Sequence, residues 1–125
     1  MTRIIDLVLH VAMLALCKKI KRTGRTVLWT PRGRLSRRFL FEKNTFALAY
    51  GSHIVFPTRS FSRSTLVHEM VHVRQWRRGG VVFWLEYLVV NKLYGYENNP
   101  FEHEAFAAER RYRARSGRRR KRNKA

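Results

Sequence analysis

The run Leu66-Val67-His68-Glu69-Met70-Val71-His72-Val73 constrains this chain of 125 residues more than any other. Leu66, Val67, Met70, Val71, Val73 and Trp76 recur at helical spacing, which predicts a helix with most of its circumference turned inward. Into that apolar surface the sequence sets two imidazoles and a carboxylate. Each polar group buried without a partner costs roughly 1–3 kcal/mol, so the fold must supply a partner for all three, and a metal ion is one that can be shared. Histidines at i and i+4 lie about 40° apart around a helix axis and about 6 Å apart along it, so both rings can reach one ion. Glu69 projects beside them, placed to act on a water held by the ion rather than to ligate. That is the mechanical content of His-Glu-x-x-His. With 5 His and 8 acidic residues in the chain, a chance match is on the order of one per cent, which favours metal binding over a structural His pair.

Two imidazoles leave a tetrahedral catalytic ion one protein donor short. The chain has one cysteine, Cys17, so it carries neither an internal disulfide nor a cysteine-rich zinc site, and it suits a reducing, cytoplasmic setting. Candidates for the third donor are His53, Glu97, Glu102, His103 and Glu104, with Cys17 set apart in a separate apolar helix. The segment Pro100-Phe101-Glu102-His103-Glu104-Ala105-Phe106-Ala107-Ala108-Glu109 is the best supplier. It follows an apolar helix long enough to return the chain to the first, and its first turn is rich in carboxylate. Against this, Glu102 could only cap its helix, and Glu104 and Glu109 could pair with nearby arginines.

The surrounding chain reads as one α+β domain of modest core. Residues 4–17 are apolar apart from Asp6 and His10 and are followed by Lys18, Lys19, Lys21 and Arg22. Fourteen helical residues rise about 21 Å, short of the roughly 30 Å hydrocarbon core. No cleavage site suits a secretory signal, because the basic residues follow the apolar run. We expect 1–22 to be an apolar helix with a basic flank, packed on the domain; the alternatives are an interfacial helix, peripheral to the membrane, whose lysines meet lipid headgroups, and a membrane anchor. Residues 26–30, 38–42, 45–50 and 53–57 are rich in Val, Ile, Phe, Trp and Thr and are punctuated by Pro31, Gly33, Asn44 and Gly51-Ser52. They predict a small antiparallel sheet or hairpins. Three helices follow. The first starts at the capping residues 62–65 and stops at Gly79-Gly80, and the second is 81–91. The third starts at Asn99-Pro100, with Glu102 at N3 completing the cap, and stops at Gly117. Domain 23–116 would then precede a frayed basic tail, 117–125.

Lys and Arg number 27 against 8 Asp and Glu, for a formal charge of +19. Such a surface attracts polyanions, whether nucleic acid or an anionic membrane. Arg118, Arg119, Arg120, Lys121 and Arg122 are the densest candidate contact.

His68-Glu69-x-x-His72 followed by Glu102-x-Glu104-Ala105 resembles the gluzincin clan of zinc metallopeptidases. The similarity is greatest to the very small metallopeptidase domains of bacteria associated with contractile injection systems. Gln75 matches the last position of their His-Glu-x-x-His-x-x-Gln helix, and 99–105 resembles their glutamate-bearing helix. The resemblance spans roughly residues 46–109. It implies a zincin-like fold, a Zn²⁺ ion on His68, His72 and Glu102 (Glu104 the alternative), Glu69 as general base, and a protein or peptide substrate. It also implies that strand 53–56 is an edge along which an extended substrate lies. In the clan an Asp four residues after the ligand glutamate orients a zinc-bound His; here that place is Phe106, so any such partner must come from elsewhere. Tyr50, His53, Tyr94, Tyr96 and His103 are candidate oxyanion donors. Alternatives are a catalytically inactive zinc-stabilised domain, or a basic nucleic-acid-binding protein with a structural zinc.

Overall fold

Val27, Leu28 and Trp29 are buried in succession, so their strand has both faces covered and lies at the centre of the molecule. The computed structural model describes residues 2–41 and 47–125; Asn44 and the ends of the expected strands at 42 and 45–46 lie outside them. Helix α1 (Thr2–Leu16) leads into β1 (Cys17–Thr23) and β2 (Thr26–Pro31), followed by α2 (Arg34–Leu40), β3 (Leu48–Tyr50) and β4 (His53–Val55). Helix α3 (Arg63–Tyr94), a short 3-10 turn (Tyr96–Asn98) and α4 (Pro100–Lys124) complete the chain.

The four strands form one sheet in the order β1-β2-β4-β3. β1 and β2 are antiparallel, as are β3 and β4, but β2 and β4 run parallel. The sheet is therefore mixed, not antiparallel as the turn signals imply. The chain leaves β2 through α2, and the β3-β4 hairpin then places β4 inward beside β2. One consequence overturns an expectation: β4 is interior, and among the described residues β3 is the edge strand on that side.

Side-chain alternation divides the sheet into two layers. Cys17, Val27, Trp29 and Val55 pack with Met13 of α1, whereas Leu28, Ile54 and Phe56 pack with Val73 of α3. α1 is thus docked on the domain, as expected. Arg32 fastens its C-terminal end by donating to the Leu14 carbonyl at 2.8 Å. At Gly51, φ is +58° and an added Cβ would meet Asp6 Oδ1 at 2.6 Å, so only glycine lets the hairpin turn approach α1 this closely.

Three local expectations are corrected. Lys18, Lys19, Lys21 and Arg22 do not extend α1 but form edge strand β1, where protruding lysines discourage pairing with another sheet. Residues 38–40 are helical, because Arg34–Leu40 contains no β-branched residue to favour a strand. Helix α4 does not stop at Gly117 but continues to Lys124. The single glycine costs only about 1 kcal/mol amid good helix formers, and the terminal cations oppose the helix dipole favourably.

The other helix signals hold. Ser62 caps α3 by accepting from Thr65 N at 3.1 Å, and Asn99 caps α4 by accepting from Phe101 N at 3.0 Å. Gly80 (φ 58°, ψ −137°) breaks α3 into two helical halves. Among the described residues no helix is long and apolar enough to cross a membrane.

Candidate metal centre

The first half of α3 lies across the sheet face lined by Leu28, Ile54 and Phe56, and the bend at Gly80 lets the chain return through α4. Asn99 and Pro100 start α4 so that Glu102, one turn in, arrives over His68 and His72. His68 Nε2 lies 3.1 Å from Glu102 Oε2, and His72 Nε2 lies 3.1 Å from Glu102 Oε1. Donor atoms of the three residues all fall within 4.8 Å of one another. Glu102 is only 3% exposed. Its carboxylate is committed to the imidazoles, so it does not complete the cap as the sequence suggests.

A polar side chain stands behind each imidazole. His72 Nδ1 donates to Gln75 Oε1 at 2.9 Å. The orientation of that amide follows from its nitrogen, which donates to the Phe101 carbonyl at 3.0 Å and to Glu104 Oε2 at 3.1 Å. Gln75 therefore fixes the His72 proton on Nδ1 and aims the Nε2 lone pair at the cluster. Behind His68, Glu109 Oε2 stands 3.2 Å from Nδ1, an ion-pair contact too far out of line for a hydrogen bond. Phe106 packs its ring edge-to-face with His68, centroids 4.5 Å apart. The carboxylate behind the histidine is thus supplied by Glu109, with Phe106 packing the ring where the resemblance calls for an Asp.

The electrostatics fit a divalent cation. Glu69, Glu102 and Glu109 bring three carboxylates, and one guanidinium answers them, Arg113, 2.6 Å from Glu109 Oε1. Two bare Nε2 lone pairs facing a carboxylate repel it unless a proton or a cation lies between them. Burial works to raise the Glu102 carboxyl, but hydrogen bonds involving His68, His72 and Tyr87 hold it well below the usual carboxylate range. Burial opposes the charged form of His72, yet Glu102 and Glu69 raise its affinity for a proton. Glu69 is pushed up by burial, against the pull of His72 and His68.

A cleft of about 1040 Å3 opens onto these groups. Leu48, Ala49 and Tyr50 of β3 line it, together with Trp84, Tyr87 and Tyr96. Tyr87 donates its hydroxyl to Glu102 Oε1 at 2.7 Å. Burial and then the Glu102 charge raise both the Tyr87 and Tyr96 hydroxyls, so both remain protonated donors.

No family profile, curated protein or solved structure matches the chain. What the site can do follows from its side chains alone.

The remaining candidates lie elsewhere. Glu104 is 49% exposed and pairs with Arg78 at 3.2 Å. His53 shares the sheet face of Trp29 and Val55 and so points away from α3. Its Nδ1 accepts from Trp29 Nε1 at 3.1 Å, and its Nε2 donates to the Asp6 carbonyl at 3.2 Å. Burial lowers its affinity for a proton, as these two bonds require of a neutral ring. His103 is exposed and bonds the Glu97 carbonyl, and Tyr94 is exposed outside the cleft. Cys17 is buried beneath α1, where burial raises its thiol against Arg32. Arg118 to Arg122 are exposed along the end of α4.

Two contributors escape the sequence reading. Glu109 stands seven residues after Glu102, two helical turns along the same face, which is a usable signal. Tyr87 carries a hydroxyl in a segment, 81–91, that is apolar apart from Glu86 and Asn91. Because Gln75 presets one imidazole, Gln75→Ala is expected to weaken metal affinity by roughly 10–100-fold without unfolding the protein, as read by competition with a chromogenic chelator. An unchanged affinity would show that Gln75 only ties α3 to α4.

Proposed function

We propose that the chain is a zinc-dependent metallopeptidase on a minimal zincin-like domain. The observation carrying this reading is the meeting of His68, His72 and Glu102 beside Glu69 at the floor of an accessible cleft. Two imidazoles and one carboxylate are a donor set that suits zinc and leaves a coordination position open, as catalytic rather than structural sites do. When bound, the ion would act as a Lewis acid on a peptide carbonyl and acidify a water.

His68, His72 and Glu102 would hold the ion, with Gln75 orienting the His72 ring and the Glu109 carboxylate standing behind His68. Glu69 takes a proton from the attacking water on its carboxylate and delivers it to the departing amine nitrogen. Its burial supports this role, since a carboxyl pushed upward accepts a proton readily. Tyr96 is the oxyanion donor best supported among the candidates, because it lines the cleft with its hydroxyl proton retained. An extended substrate would pair with β3, the strand bordering the cleft, in place of β4.

Metal analysis of the purified protein is expected to give about one zinc per chain, bound with Kd far below micromolar. Cleavage of a denatured protein should stop with chelator and return with added zinc. Protein that binds no zinc would sink the proposal; stoichiometric zinc without cleavage would leave a zinc-stabilised, inactive domain.

A further inference from the structure

Among the described residues the outer face of α1 has no partner. Its inner face is committed to the domain: Met13 is buried, and Asp6 accepts from Ser52 N at 3.2 Å. The outer face carries Ile4, Leu7, Val8 and Val11, each at least 60% exposed, and Leu14 at 48%. These positions recur at i, i+3, i+4 and i+7, so they form one continuous apolar stripe. Arg32 ties the C-terminal end of α1 to the chain just before α2, and along α2 Leu35 and Phe39, one helical turn apart, are 86% and 78% exposed.

Charge decides what covers this surface. Residues 2–41 contain ten Lys and Arg against one acid, Asp6, and Asp6 faces inward. Lys18, Lys19, Lys21 and Arg22 on β1, which packs against α1, and Arg34, Arg37 and Arg38 on α2, beside Leu35 and Phe39 in sequence, are all exposed. A second copy of the chain would bring the same cations against these and be repelled. A nucleic acid would satisfy the cations but leave the stripe in water. An anionic bilayer satisfies both, taking apolar side chains into its acyl boundary and cations onto its phosphates. The exposed apolar residues of the second half of α3 (Val82, Leu85, Leu88, Val89, Leu93) lie in a segment, 81–94, that carries one cation, Lys92, and one acid, Glu86.

We propose that the face formed by α1 and α2 docks the protein flat on an anionic lipid bilayer, with the α1 stripe immersed and the surrounding Lys and Arg on headgroup phosphates. α1 stays folded against the sheet while docked, since its polar groups already face the domain.

Flotation of the full chain with vesicles of phosphatidylcholine, with and without phosphatidylglycerol, tests this at about 0.15 M salt. The protein should float with the phosphatidylglycerol vesicles and not with phosphatidylcholine alone. The Leu7→Asn/Val11→Asn variant alters only exposed side chains and should keep its circular dichroism. Its vesicle affinity should fall on the order of tenfold or more. Arg118→Glu/Arg120→Glu, on the far end of α4, should change it much less. Failure of the parent to float would overturn the proposal. So would parent-like binding by Leu7→Asn/Val11→Asn, or a stable dimer that this variant dissociates. Vesicle binding lost only in Arg118→Glu/Arg120→Glu would show that the α4 cations alone bind polyanions, and would equally overturn it.

Discussion

The Glu69→Gln variant is expected to hold one zinc per chain and to lose cleavage of a denatured protein by roughly 10²–10⁴-fold. That is about 3–5 kcal/mol of transition-state stabilisation. The substitution keeps side-chain volume and removes only the site that accepts a proton. Glu69 is buried and stands near Glu102 and Glu109, whose charges oppose its ionisation, so it pays for its place in the fold rather than stabilising it. The metal-free variant should therefore unfold at the same temperature as the parent or higher. Parent-like cleavage by Glu69→Gln would remove the general-base role. Loss of zinc together with cleavage would instead make Glu69 part of the ligand set.

The second large effect separates two carboxylates only two residues apart. Glu102→Gln retains the shape of the side chain and can still accept from Tyr87, but it withdraws the negative charge that lies between His68 and His72. Zinc affinity should drop by more than the roughly 100-fold that loss of an outer partner costs. Glu104→Ala removes a half-exposed pair with Arg78, the kind worth about 0–1 kcal/mol, and one of two acceptors for the Gln75 amide. Its zinc affinity should change less than tenfold, because the Phe101 carbonyl still holds Gln75. Equal losses in the two variants, measured by chelator competition, would overturn the choice of Glu102.

The outer partners set a finer scale of effects. Gln75 reaches both α4 and the His72 ring, so it couples the docking of two helices to the direction of one lone pair. Glu109 stands behind His68 but is shared with Arg113, which links the His68 environment to the first cations of the basic half of α4.

Much of this was legible in the chain because it depends on near neighbours. His68, Glu69 and His72 share a face through helical periodicity. Ser62, Asn99 and Pro100 mark helix starts through hydrogen bonds that span three residues or fewer, and Gly80 marks a break through its own φ. The carboxylate-bearing turn at Glu102 could be nominated because so few acids occur in so basic a chain. Residues 38–40 misled because exposed Phe39 resembles a strand residue in composition, while the absence of β-branching across 34–40 lets the backbone coil.

The sequence by itself determined the donor types, the helix that carries two of them and the start of the helix that carries the third, since each follows from residues within a few positions of one another. Tertiary structure alone decided that β4 lies inside the sheet, that His53 faces α1 rather than the cleft, and that Glu102 rather than Glu104 comes between the imidazoles. It also decided that Glu109 and Tyr87 join them. Strand order and helix docking depend on contacts between residues tens of positions apart, and a shift of one residue along a strand, or two along a helix, sends a side chain to a different face.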